Sequence, residues 1–243
     1  MSDQHFPAGT VVSAFIEAER ALSEILRVVP YCPEHQDVWS PRLGEMLLYL
    51  CSQLDSLWRQ EIPCAKPRKH LNMTDYSGHF AGSLCGKFVV FWGDIEGGTI
   101  LAPFQEWEVG SNSSPLWWTA YNKVKHDCLA NRKLGSLKNV CRAMAGLFVA
   151  ILRSKLCLSH VLATDWLALD VYAPENIAPH LANDTEWTEA GIKVESHLFS
   201  YVVGTCLDLE IPGGFPSKYM GSSYRLRDWL GRNMGKRVRD VIE

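Results

Sequence analysis

Three observations on the sequence predict a mainly helical protein carrying a small β-hairpin. Apolar residues recur at three- and four-residue spacing in several long stretches, prolines and glycines break the gaps between them, and only two short runs are rich in β-branched and aromatic residues. Residues 10–29 (TVVSAFIEAERALSEILRVV) place Val11, Val12, Phe15, Ala18, Leu22, Ile25 and Leu26 on one helical face, and Pro30 and Pro33 end the run. A second helix is expected over 41–62, with Ser40 before Pro41 in the first turn and Leu43, Leu47, Leu50, Leu54 and Leu57 on its apolar side. The two read as an antiparallel pair.

A loop follows, with a short helix over 74–81 capped by Asn72 or Thr74. KFVVFW and GGTILAPF then flank GDIEGG and read as a hairpin over about 88–104, an excursion from the bundle and the only sheet evident. A helix is expected from Ser114, with Pro115 at its first position, and the longest apolar helix over 134–158, with Leu137, Cys141, Met144, Phe148, Ile151 and Leu152 on one side. Past Ser159 the pattern mixes. DWLALDVY suits helix or strand, IPGGFPSKYMGSSY is loop, and SSYRLRDWLGRNMGKRVRDVIE reads as a terminal amphipathic helix burying Leu226, Trp229, Leu230 and Val238, or as an RNA-facing basic helix. The expected organisation is a bundle over residues 1–158 and an extension over 159–243 packed on it.

A chain of 243 residues, 47% hydrophobic, suffices for one large domain or a core with an appendage. A net charge of −3 gives no general attraction to nucleic acid or an anionic membrane, so any basic surface must be local. Acids interrupt the first apolar run and no long uninterrupted apolar stretch occurs, so a soluble, cytoplasmic protein without a membrane partner is expected. The eight cysteines form no C-x-x-C pair, so neither a disulfide framework nor a zinc site is expected, and no cofactor is implied. GDIEGG and IPGGF lack the lysine and hydroxyl of a phosphate loop.

The densest chemistry lies in WWTAYNKVKHD, Trp117–Asp127. On a wheel of about 100° per residue, Trp117, Ala120, Tyr121, Val124 and Cys128 share the core side. Thr119, Asn122 and His126 then point outward, with Trp118 and Lys125 along one outward edge and Lys123 on the other. Asn122 and His126 are one turn apart, and an imidazole beside lysines can move a proton while cations steady an anion. The same set also occurs on ordinary wet helix faces. Asp55 and Glu45 of the second helix are candidates to orient the histidine, and Lys66, Arg68, Lys69 and His70 form a basic loop.

An outward polar residue, a short gap and a histidine in a small helical bundle resemble the HEPN superfamily of metal-independent ribonucleases and their inactive relatives. That family's motif joins an arginine, then Asn, Asp or His, to a histidine a few residues on. Asn122 takes the polar position and His126 the histidine, whereas Tyr121 stands where the arginine is expected. The resemblance spans about residues 10–158. It implies a HEPN-like helical bundle cleaving RNA, as a stress or phage-defence protein, with His126, Asn122 and Lys125 catalytic and Trp118, Tyr121, Lys123, Asp127 and Arg132 contacting the ligand. Lys125 or Arg132 would supply the missing cation. It implies equally a non-catalytic module of a bacterial defence or regulatory system that binds a partner protein. A homodimer is expected, because HEPN-like sites are composed across a two-fold axis and an outward Trp118 needs cover.

Overall fold

A computed structural model describes residues 7–63, 70–110, 112–167, 193–202, 207–208, 210–211 and 224–241. The expectations for Lys66, Arg68 and Lys69, for the end of DWLALDVY and for the Pro-Gly loop after Ile211 lie outside them.

Helix α1 (Ala8–Leu26) buries Val11, Val12, Phe15, Ala18, Leu22 and Leu26, as its periodicity requires. Helix α2 (Pro41–Glu61) starts where Ser40 Oγ accepts the Leu43 N–H at 3.1 Å, with Pro41 in the first turn losing no bond for want of an N–H. The short helix α3 (Met73–Tyr76) carries a reciprocal cap between Asn72 and Asp75, runs through a π turn (Ser77–Ala81), and continues into α4 (Gly82–Leu84). Helix α5 (Leu116–His126) begins one residue later than expected, since Pro115 is still extended. Helix α6 (Leu137–Arg153) is buried on nearly every side and packs on α1, α2 and α5. It stops well before residue 158: Ser154 turns extended and its hydroxyl accepts the Cys157 N–H at 3.3 Å, after which the chain restarts as α7 (Leu158–Leu162). Among the described residues no helix is long and apolar enough to cross a membrane.

The hairpin is found where the sequence places it, as β1 (Val89–Phe91) and β2 (Thr99–Leu101), antiparallel with Val90 opposite Ile100. It is not an excursion. β3 (Lys193–Glu195) and β4 (Phe199–Val202) complete an antiparallel sheet of order β2-β1-β4-β3, in which Phe91 faces Phe199. Alternation explains how so short a sheet is buried on both sides. Val89, Phe91, Leu101, Val194 and Tyr201 join the bundle core, while Phe88, Val90 and Ile100 form a second core with Leu226, Trp229 and Leu230 of α8 (Tyr224–Asn233). The amphipathic reading of the tail is therefore the one the packing supports, with Leu226, Trp229, Leu230 and Val238 all buried.

The β1–β2 turn depends on one backbone position. Gly98 has φ +123°, its N–H donates to Asp94 Oδ1 at 2.9 Å, and its carbonyl accepts Trp229 Nε1 at 2.9 Å. A Cβ there would lie 2.6 Å from Trp229 and 2.8 Å from Trp92. Gly98→Ala is therefore expected to cost at least about 1–3 kcal/mol for the backbone alone, with the overlap added. Urea melts of parent and variant measure it.

Candidate functional site

Helix α5 is held by its aromatic side. Trp117 Nε1 donates to the Pro103 carbonyl at 2.7 Å, and Gly146 of α6 leaves room for its ring, since a Cβ there would sit 2.9 Å from it. Tyr121 and Val124 are buried beside it and His126 is exposed, as the wheel requires.

Two expectations for this helix are corrected. Trp118 does not face solvent: its ring stacks on Trp58 at 5.4 Å and meets Tyr76 and Tyr121 edge-on. The wheel describes one helix, and the 70–110 segment, which brings Tyr76, Phe80 and Trp107 around Trp58, covers the edge left open. Trp118 is thus packed within the chain, and the case for a dimer resting on its exposure falls away. Cys128 is exposed rather than in the core, because the helix ends at His126 and Asp127 turns out of it.

The wet end of α5 holds Lys123, Lys125 and His126 exposed and Asn122 half-buried. Lys125 Nζ lies 5.3 Å from the centroid of the Tyr121 ring. Asp127 accepts the Ala130 N–H at 3.0 Å, so it shapes the following turn instead of orienting the imidazole. Asn131 closes that turn by donating to the Lys123 and Asp127 carbonyls at 3.2 and 2.9 Å, capping the helix end. Arg132 follows in a 3-10 turn (Arg132–Leu134) packed against α5, with its guanidinium over Trp39 and donating to the Leu129 carbonyl. Lys123, Lys125 and His126 stand exposed in the last turn of α5 with Asn122 half-buried just before them, the turn carrying Arg132 packs against this helix, and Trp118 and Tyr121 belong to the core. Three basic residues in a last helical turn also satisfy the helix dipole.

The hydrogen bonds of Asp55 on α2 go elsewhere than His126. Glu45 is exposed, and Asp55 accepts Arg59 Nε at 2.7 Å and the Tyr76 hydroxyl at 2.6 Å. Arg59 is the residue the sequence reading passed over. Asp55 holds its guanidinium charged, with smaller support from Tyr76 and Tyr121. The signal available was the four-residue spacing of Asp55 and Arg59 on one helix. Among the described residues no group of three or more His, Cys, Asp or Glu is arranged to hold a metal ion.

No protein-family model, curated protein or solved structure matches the chain.

Proposed function

We propose that the protein is a HEPN-like, metal-independent RNA-cleaving protein of a stress or phage-defence system, with His126 as the proton-transfer group. The observation that supports this is the partition of α5: its aromatic side is buried, while Lys123, Lys125 and His126 are exposed in its last turn with Asn122 half-buried just before them, and the turn carrying Arg132 packs against the helix. In the proposed step a ribose 2′-oxygen bonds to the adjacent phosphorus and the bond to the 5′-oxygen breaks. His126 takes the proton from the attacking hydroxyl and delivers one to the leaving oxygen. Asn122, Lys125 and Arg132 steady the charge gathering on the phosphate. Pairing two α5 ends about a two-fold axis would double the cation density.

One observation favours a second reading, a non-catalytic module that binds a partner protein. Tyr121 fills the arginine position and is buried, so the planar fork that clamps a phosphate is missing from that turn. Incubation with a fluorescent RNA decides between the two. Cleavage that persists in EDTA and fails on an all-deoxy strand of the same sequence supports the enzyme. Absence of any cleavage leaves the interaction module.

A further inference from the structure

We propose that the cleft between the α1–α2 loop, the β1–β2 turn and the start of α6 binds a small zwitterion, its anionic head on Lys138 and Arg142 and its ammonium toward Asp94 and Glu96. The site is separate from the wet end of α5, and nothing in the RNA reading requires it. Its lining carries both signs: Lys138 and Arg142 from α6, Asp94 and Glu96 from the β1–β2 turn, with the apolar Ile100 and Leu101 from β2.

The cations are poorly provided for within the chain. Lys138 and Arg142 are four residues apart on one face of α6, in its first two turns, where the helix dipole is positive and no acid stands in the first turn. Both are half-buried, and among the described residues neither has an acid within ion-pair distance. An anion is what that corner lacks, and a guanidinium with an ammonium beside it suits a phosphate or carboxylate head. Tyr31 also lines the cleft; burial pushes its phenol far above the ordinary value, so it remains a hydroxyl donor at any physiological pH. In the β1–β2 turn Asp94 is fixed by the Gly98 N–H and the Thr99 hydroxyl at 2.9 and 2.7 Å, and Glu96 is exposed. The carboxylate that positions an ammonium is thereby held in place.

Size limits the ligand. The cleft holds about 140 Å³, close to a cavity of ~150 Å³ that admits benzene, so a whole nucleotide exceeds it. A molecule the size of phosphoethanolamine or β-alanine fits with one end at the mouth.

Calorimetric titration of the full chain with phosphoethanolamine, β-alanine, inorganic phosphate and ethanolamine tests the assignment. The expected result is saturable binding of one or both zwitterions, which also names the head group, with phosphate and ethanolamine markedly weaker. Arg142→Gln and Lys138→Gln are each expected to weaken binding about ten- to a hundredfold, the loss of one charged hydrogen bond. Glu96→Gln, at an exposed position, is expected to reduce the preference for the zwitterion over its anion-only analogue, with Asp94 left to face the ammonium, without disturbing the fold. Unfolding midpoints confirm that each variant remains folded, and Arg142→Lys, keeping charge without the fork, should bind between parent and Arg142→Gln. No binding of either zwitterion at millimolar concentration overturns the proposal. So does binding unchanged in folded Arg142→Gln or Arg142→Lys, or phosphate alone binding as well as phosphoethanolamine.

Discussion

His126→Ala is expected to lower RNA cleavage by roughly two to four orders of magnitude, the contribution of one positioned acid or base. The side chain is exposed at the end of α5, so its removal opens no cavity and the unfolding midpoint should stay that of the parent. This separation gives the experiment its force. Trp118→Ala would reduce activity by disrupting the stack on Trp58, and the loss would appear in the melt as well as in the assay. A His126→Ala variant that cuts as fast as the parent removes the enzyme reading.

Glu19→Ala is expected to destabilise the fold by roughly 3–5 kcal/mol, because three donors lose their acceptor at about 1–3 kcal/mol each and relax only in part. Glu19 lies on α1 and is only 3% exposed. Its carboxylate accepts the Ser196 hydroxyl at 2.5 Å and the Leu198 and His197 N–H groups at 2.9 and 3.3 Å, which fastens the β3–β4 turn to the bundle. Arg225 closes the turn from the other side, donating to the Ser196 and His197 carbonyls at 2.9 Å each. Burial raises the Glu19 pKa above the ordinary carboxylate value, outweighing the three hydrogen bonds that favour ionisation. A raised folded-state pKa means the native protein holds this proton more tightly than the unfolded chain. Its contribution is then fully present below the unfolded glutamate value of about 4.3 and is lost as pH rises through the folded value. Glu19→Gln cannot titrate there, so the stability of the parent relative to Glu19→Gln should be greatest in acid and fall toward neutral pH. Urea midpoints measured from about pH 4 to 7 give the trend, and a parent that gains on Glu19→Gln as pH rises contradicts it.

How far the sequence could be read depended on whether neighbours lay close along the chain. Trp117, Tyr121 and Val124 were legible as core and His126 as surface because helical period alone decides them. Ser40 before Pro41 marked the start of α2 for the same local reason. Trp118 was not legible, since its cover arrives from Trp58 and Tyr76 on other elements. Glu19 was beyond reach: an acid among apolar residues reads as a wet position until Ser196, 177 residues later, supplies the partner. β3 and β4 were obscured likewise, as three- and four-residue strands whose apolar faces are satisfied by distant partners.

The pairing of Phe91 with Phe199 sets an order of events during synthesis. The stretches forming α1, α2, α5 and α6 leave the ribosome before β4 exists, and their contacts are largely between neighbouring helices. Through that interval β1 presents an apolar strand edge with its hydrogen bonds open on one side, the kind of surface on which nascent chains adhere to one another. Closing so long a loop is entropically slow. The segment synthesised late is thus the one that shields an edge made early, and the yield of native protein depends on how long that edge must wait.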